Sequence, residues 1–161
     1  MYQYEDQEFA GVHFDGRDLR YGELLRCIFK HCTFMNTSME EIDTSYCRFN
    51  ECDFKGAALN ASIHNESAFE NCKFNGANLF VTKFNACKMT GSDFLGAQMD
   101  GITLSQGDWS YTNLRHTKLG KQDLRGAILE GIDLKTLNIR GARMDREQAV
   151  LFMRSYGAKV D

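Results

Sequence analysis

A large apolar residue recurs at every fifth position of this chain from Phe9 to Met144, and the register never slips. The series has 28 positions, of which 26 are apolar. An α-helix repeats every 3.6 residues and a β-strand every two, so neither element alone produces a period of five. The pattern therefore predicts a repeat architecture, in which each five-residue unit supplies one inward-facing centre.

Two further regularities describe the rest of each unit. The residue two positions before a centre is usually small, as at Cys52, Ala77 and Ser92, which indicates a second inward-facing position. Ten of the 14 glycines lie two positions after a centre. A corner that needs positive φ favours glycine, so we expect a corner once in every five residues.

These units resemble those of the pentapeptide-repeat proteins, in which a small residue, Asp or Asn, and Leu or Phe precede two variable residues. Cys52-Asp53-Phe54, Ala77-Asn78-Leu79 and Ser92-Asp93-Phe94 follow this unit. The resemblance implies an all-β solenoid, a right-handed quadrilateral β-helix with four units per coil and about seven coils. Residues 20 apart would then stack, and one column would hold Phe14, Phe34, Phe54, Phe74 and Phe94.

The period of five stops after Met144, which divides the chain into three segments. We expect residues 1–8 to cap the first coil, residues 9–144 to form the β-helix, and residues 145–161 to form a short C-terminal α-helix and tail. Asp145 followed by Gln148 predicts a helix N-terminus with a capping box. Gly157 predicts the end of that helix.

The two polar residues in the series of centres, Thr44 and His64, are themselves 20 apart. We expect them to be stacked neighbours that hydrogen-bond each other or a trapped water. The alternative is that a pair of polar residues in an apolar column marks a binding site.

The sequence carries no signature of catalysis or of a cofactor. All six cysteines occupy the small inward class and none forms a Cys-x-x-Cys pair, so we expect free thiols and no metal site. The chain has no Gly-rich phosphate loop and no Gly-x-Ser-x-Gly elbow. We therefore predict a protein that is not an enzyme and has neither catalytic residues nor cofactors.

The C-terminal pattern is similar to that of the Qnr-like quinolone-resistance members of the pentapeptide-repeat proteins. That resemblance implies an end-to-end homodimer through the C-terminal helix, with the interface at Ala149, Leu151, Phe152, Met153 and Tyr156. It also implies a protein that imitates duplex DNA and binds DNA gyrase or topoisomerase IV. The alternative is an interaction scaffold with another protein partner and no effect on topoisomerases.

Charge is distributed unevenly along the chain. Residues 1–70 contain 13 acidic and 6 basic side chains, whereas residues 71–161 contain 9 acidic and 13 basic ones. We therefore place partner binding in the first half, at acidic residues that fall within one coil: Glu40, Glu41, Asp43, Glu51 and Asp53. The basic residues of the second half are interspersed with acids, so we expect no direct nucleic-acid binding.

The sequence contains no run of 18 apolar residues and no leader-like segment. We therefore expect a soluble cytoplasmic protein without membrane association.

Overall fold

The computed structural model describes residues 3–117 and 121–161 as a parallel β-solenoid with one α-helix at its C-terminal end. A 3₁₀ helix at Leu134–Thr136 precedes helix α1 at Arg146–Ser155. The strands of the described residues have three residues each: β1 (Gln3–Glu5), β2 (Glu8–Ala10), β3 (Glu23–Leu25), β4 (Ile28–Lys30), β5 (Asp43–Ser45), β6 (Arg48–Asn50), β7 (Ile63–Asn65), β8 (Ala68–Glu70) and β9 (Lys83–Asn85).

Each coil contains 20 residues and has four sides. On the first side, the odd-numbered strands form a parallel sheet in the order β1-β3-β5-β7-β9, and on the second side the even-numbered strands form the sheet β2-β4-β6-β8. Isolated parallel bridges such as Thr33↔Asp53 define the third side, and bridges such as Ser38↔Ala58 define the fourth. Every pairing joins residues 20 apart, which confirms the predicted coil.

Regular strands account for about four coils, so the expected count of about seven is wrong for the strand-forming part of the solenoid. Beyond Asn85 the 20-residue step continues as isolated bridges as far as Asp123↔Arg143. In these later coils the carbonyl of a centre accepts a hydrogen bond inside its own corner, as when Thr112 N–H donates to Trp109 O at 3.3 Å. A single bridged residue then remains on each side, which is too few for a strand.

The start of the solenoid also differs from the expected boundary. Strand β1 pairs with β3 in the register Tyr4↔Leu24, and the ring of Tyr4 meets that of Phe9 edge to face at 5.4 Å. The ladder of coils therefore begins inside the segment 1–8 that we expected to act as a cap.

The core is built from stacked aromatic rings. Phe54 lies parallel to Phe34 and Phe74, with ring centroids 4.8 and 4.9 Å apart, and it meets Phe49 of the neighbouring column edge to face at 5.5 Å. Offset or edge-on ring pairs of this kind add to the free energy of burial. The predicted phenylalanine column is confirmed, and its spacing sets the rise of one coil.

Trp109 lies in the column that contains Phe49 and Phe69, and the small inward position two residues before it is a glycine, Gly107. A Cβ atom on Gly107 would lie only 2.7 Å from the indole nitrogen of Trp109. Because that contact is too short for any side chain, glycine is needed here to make room for the ring, and Trp109 is fully buried.

The six cysteines lie at the inward positions that the repeat predicts, and each is a buried free thiol. Burial raises the pKa of Cys47 to about 11 and that of Cys87 to about 12. These two thiols therefore stay protonated at neutral pH and act as small core groups rather than as nucleophiles.

Helix α1 closes the last coil through its N-terminal residues. Asp145 accepts a hydrogen bond from the Gln148 backbone N–H at 2.9 Å, and the Gln148 side-chain oxygen accepts one from Asp145 N–H at 3.1 Å, which confirms the predicted capping box. The Gln148 side-chain amide also donates to the carbonyls of Leu124 and Ala127 in the last coil.

In the described residues no helix has the length and apolar character needed to span a membrane.

Candidate acidic interaction surface

The five acidic residues predicted to bind a partner lie on two edges of the solenoid. Glu40, Glu41 and Asp43 surround the edge between the fourth and first sides. Glu51 and Asp53 lie half a coil further along the chain, at the diagonally opposite edge between the second and third sides. The structure therefore does not bring all five together into one patch.

Glu51 and Asp53 also have local partners. Glu51 lies 3.5 Å from the imidazole of His31, one coil away. Asp53 accepts a hydrogen bond from Lys55 N–H at 2.9 Å, and this contact braces the corner that follows Phe54. Glu51 and Asp53 therefore already have contacts with residues of their own edge of the solenoid.

Glu23 lies next to Glu40, Glu41 and Asp43 on the same edge, although it was not among the residues predicted from the sequence. Strand pairing places Glu23 directly beside Asp43, with Glu41 at the adjoining corner. The 20-residue step would have identified Glu23, because it is the stacked neighbour of a residue already chosen. We call Glu23, Glu40, Glu41 and Asp43 the acidic edge patch.

The acidic edge patch forms no ion pair with the described residues. Within the described part of the chain, no lysine, arginine or histidine nitrogen lies within 4.0 Å of its four carboxylates. Glu23, Glu41 and Asp43 are exposed, whereas Glu40 is half-buried and its Oε2 atom is buried without a hydrogen-bond partner among the described residues. This edge therefore carries concentrated negative charge.

Several other acids of the first coils, by contrast, form ion pairs with arginine or lysine. Arg26 binds Glu5 at 2.6 Å and Asp6 at 2.7 Å. Arg20 lies one coil from Glu40, but its guanidinium is held by Asp18 at 2.6 Å, and that contact lowers the pKa of Asp18 to about 2. The acidic edge patch is therefore one site of this half of the rod where several carboxylates without such a partner lie together.

The charge density of the patch is of the same order as that of duplex DNA. Stacked rings in the core are 4.6 to 5.0 Å apart, so two consecutive coils span about 10 Å of the rod. Four carboxylates occupy that length, whereas duplex DNA carries about six phosphates over the same distance.

The polar pair Thr44 and His64 forms a closed internal network, which confirms that the two residues hydrogen-bond each other. The hydroxyl of Thr44 lies 2.7 Å from His64 Nδ1, and the hydroxyl of Ser62 lies 2.9 Å from His64 Nε2. Ser62 donates its proton to the carbonyl of Leu59 at 2.6 Å, so it accepts the Nε2–H of His64. Because burial keeps the imidazole neutral, Nδ1 carries no proton and accepts the hydrogen bond from the Thr44 hydroxyl.

His64 is only 1% exposed, and burial lowers its pKa to about 3. The network is therefore part of the core and not a ligand site. Among the described residues, no group of three or more His, Cys, Asp or Glu side chains is arranged to hold a metal ion.

The residues predicted to form a dimer interface are divided between the core and the surface. Phe152 is 3% exposed and packs into the protomer's own core, and Ala149 is half-buried. Leu151, Met153 and Tyr156 are 37%, 50% and 64% exposed. A groove of about 320 Å³ runs between Leu151 and the last coil, where the exposed Ile128 forms part of its wall.

Comparison with known proteins agrees with the repeat seen in the structure. Residues 52–79 match the family described as Pentapeptide repeats (8 copies). No curated protein matches the chain.

A solved structure with this fold spans nearly the whole chain. A trypsin-treated form of QnrB1, a plasmid-mediated fluoroquinolone resistance protein, is 17% identical, covers 98% of this chain and 99% of its own, and has a TM-score of 0.69. A pentapeptide repeat protein from the Arabidopsis thaliana thylakoid lumen is 19% identical, covers 68% of this chain and 70% of its own, and has a TM-score of 0.44. The chain is therefore similar to pentapeptide-repeat proteins in the sequence of residues 52–79, and it shares the fold of the QnrB1 form over 98% of its length.

Proposed function

We propose that the protein is a non-enzymatic scaffold that binds DNA gyrase or topoisomerase IV through the acidic edge patch and protects the enzyme from fluoroquinolones. One observation carries the proposal: four carboxylates stand together on one edge of the rod, and among the described residues none of them has a counterion within 4.0 Å. The similarity in fold to QnrB1, a fluoroquinolone resistance protein, supports it.

The backbone holds the carboxylates in fixed positions. Glu23 and Asp43 are paired strand residues, and Glu41 N–H donates to the carbonyl of Asn60 at 3.2 Å in the next coil. A protein surface that binds phosphates presents Lys and Arg side chains, which carboxylates also attract. The patch would therefore occupy a DNA-binding surface at little cost in conformational entropy.

An electrostatic contact of this kind depends on salt. The Debye length falls from about 30 Å at 0.01 M to about 8 Å at 0.15 M ionic strength, so binding should weaken steeply over that range.

Two assays, each with and without a fluoroquinolone, test the proposal. One measures the supercoiling of relaxed plasmid by purified gyrase. The other measures the relaxation of supercoiled plasmid by topoisomerase IV. We expect the wild-type protein to inhibit turnover at low salt and to reduce fluoroquinolone-stabilised cleavage. The triple variant Glu23→Gln, Glu41→Gln, Asp43→Asn should lose both effects. A matched triple variant at exposed acids elsewhere, Glu8→Gln, Glu51→Gln, Glu66→Gln, should keep them.

The proposal is wrong if the wild-type protein affects neither enzyme at low salt. It is also wrong if both triple variants behave alike, because net charge alone would then explain the effect.

We propose further that the protein forms a homodimer through its C-terminal end. The exposed Leu151, Met153 and Tyr156, together with Ile128, support this proposal. A two-fold contact would remove these apolar groups from water, and each protomer would keep its acidic edge patch free.

A scaffold for another protein partner is the second candidate function. On the first side, the column that holds Glu23 and Asp43 continues to Lys83, so negative charge gives way to positive charge along the rod. A partner with both charges would fit this side better than a uniformly basic surface would.

A further inference from the structure

Two exposed apolar residues lie on the same edge as the acidic edge patch. Phe80 is 52% exposed and Val81 is 39% exposed. They stand two coils from Glu40 and Glu41 in the same columns, or about 10 Å along the rod. The intervening coil contributes the uncharged Ala61 and Ile63. We call Ala61, Ile63, Phe80 and Val81 the apolar edge patch.

The backbone of Val81 is strained. Its φ is +52°, and among the 17 non-glycine residues with positive φ in the described structure it is the only β-branched one. Positive φ is a true outlier for a β-branched side chain. The same corner is occupied by alanine at Ala61 and by glycine at Gly101, so the fold does not require valine there.

The next coil makes room for the valine side chain. A Cβ atom on Gly101 would lie 2.8 Å from Val81 Cγ1. Strained residues persist mostly where function uses them, so a strained valine on the surface indicates an interaction site.

Phe80 is held on a rigid support. Its N–H donates to the side-chain oxygen of Asn78 at 3.1 Å, and the amide of Asn78 donates to Asn60 at 3.2 Å. Val81 N–H donates to the carbonyl of Asp100 at 2.9 Å. The ring is thus presented at a fixed place, and a partner would not have to order the backbone that carries it.

We infer that the acidic and apolar edge patches form one docking surface, on which Phe80 and Val81 enter an apolar pocket of a protein partner that carries basic groups about 10 Å away. This inference rests on the proposed function and identifies the anchor of the same contact. Buried aromatic residues are frequent anchors of protein interfaces, where surrounding charges set orientation.

Charge complementarity selects this partner over other occupants. Nucleic acid would place its phosphates against the unpaired carboxylates and be repelled. A second copy of the chain, related by a two-fold axis through this edge, would bring the same four carboxylates together. A protein surface with an apolar pocket, and with basic groups on the side of that pocket that faces the carboxylates, satisfies both patches.

The gyrase supercoiling assay at low salt tests the inference with two substitutions. Phe80→Ala should raise the protein concentration needed for half-inhibition by about tenfold or more. Tyr46→Ala is the matched control, because Tyr46 is an aromatic residue 55% exposed on a different edge, and it should leave inhibition unchanged.

Val81→Gly should raise the midpoint of thermal unfolding by about 2–4 °C, because it relieves the strain, and should weaken inhibition at the same time. If the wild-type protein inhibits gyrase and both Phe80→Ala and Val81→Gly inhibit equally well, the inference is overturned while the proposed function stands. If the wild-type protein has no effect, both are overturned.

Discussion

His64 is the clearest case in which a single residue departs from the repeat and the structure explains how the fold tolerates it. The imidazole stacks on Phe84 at 4.9 Å and meets Phe69 edge to face at 5.1 Å, so it occupies the space of a phenylalanine ring. Thr44 and Ser62 satisfy its two nitrogens. The neutral form is therefore well accommodated, whereas an imidazolium would be charged and desolvated.

We expect His64 to make stability depend on pH. The pKa of His64 is about 3 in the folded protein and about 6.5 in the unfolded chain. Between these values the unfolded chain binds a proton that the folded protein does not, so the contribution of His64 is complete above about pH 6.5 and is lost as pH falls towards 3. The loss should approach about 1.4 kcal/mol per pH unit within this window.

Urea unfolding at several pH values measures this dependence. The double variant Thr44→Val, His64→Phe, which restores an apolar column, should have a flatter profile between pH 6 and 4 than the wild-type protein. His116→Gln, which removes an exposed histidine, is the matched control. Equal slopes for the wild-type protein and the double variant would contradict the assignment.

At the scale of one structural element, the aromatic column should be the most sensitive part of the solenoid. Phe54 is fully buried between Phe34 and Phe74, and the backbone ladders on either side prevent the coils from closing around a gap. Phe54→Ala should therefore lower the free energy of unfolding by about 3–5 kcal/mol. The exposed neighbour Lys55→Ala should change it by less than about 0.5 kcal/mol. Similar urea midpoints for these two variants would show that the column does not carry this stability.

The sequence predicted those elements whose residues are constrained by packing. The period of five identified the centres, the small inward positions and the stacking of residues 20 apart, and Asp145 with Gln148 identified the start of α1. It did not predict how many coils form strands, because that depends on whether a carbonyl such as Trp109 O bonds within its corner or to the next coil.

The surface was less predictable than the core. Glu41 and Glu51 are ten residues apart, which looks close in the sequence but is half a coil, and so they face opposite edges. Phe80 and Val81 occupy variable positions of the repeat, where no packing rule selects a residue type. Only the exposure of both side chains and the positive φ of Val81 indicate that these two residues could bind a partner.

At the scale of the whole molecule, the two ends of the rod differ. The N-terminal end presents β1, the outermost strand of the five-stranded sheet. The charged side chains of Glu5, the last residue of β1, and of Asp6, which follows it, disfavour pairing with another strand. The C-terminal end is closed by α1, whose outer surface is apolar at Leu151 and Met153. Self-association is therefore expected at the C-terminal end alone.

We expect the wild-type protein to have twice the chain mass by light scattering at tens of micromolar. The double variant Leu151→Asp, Met153→Asp should be monomeric and folded, because both side chains are exposed and a two-fold contact would bring the new carboxylates together. Leu95→Asp, Tyr46→Asp is the matched control, since these residues are 39% and 55% exposed away from α1, and it should remain a dimer. Phe152→Asp is unsuitable for this test, because Phe152 packs in the core of its own protomer and its loss would detach the helix. A monomeric wild-type protein, or a dimer that survives both aspartates on α1, would refute association through this end.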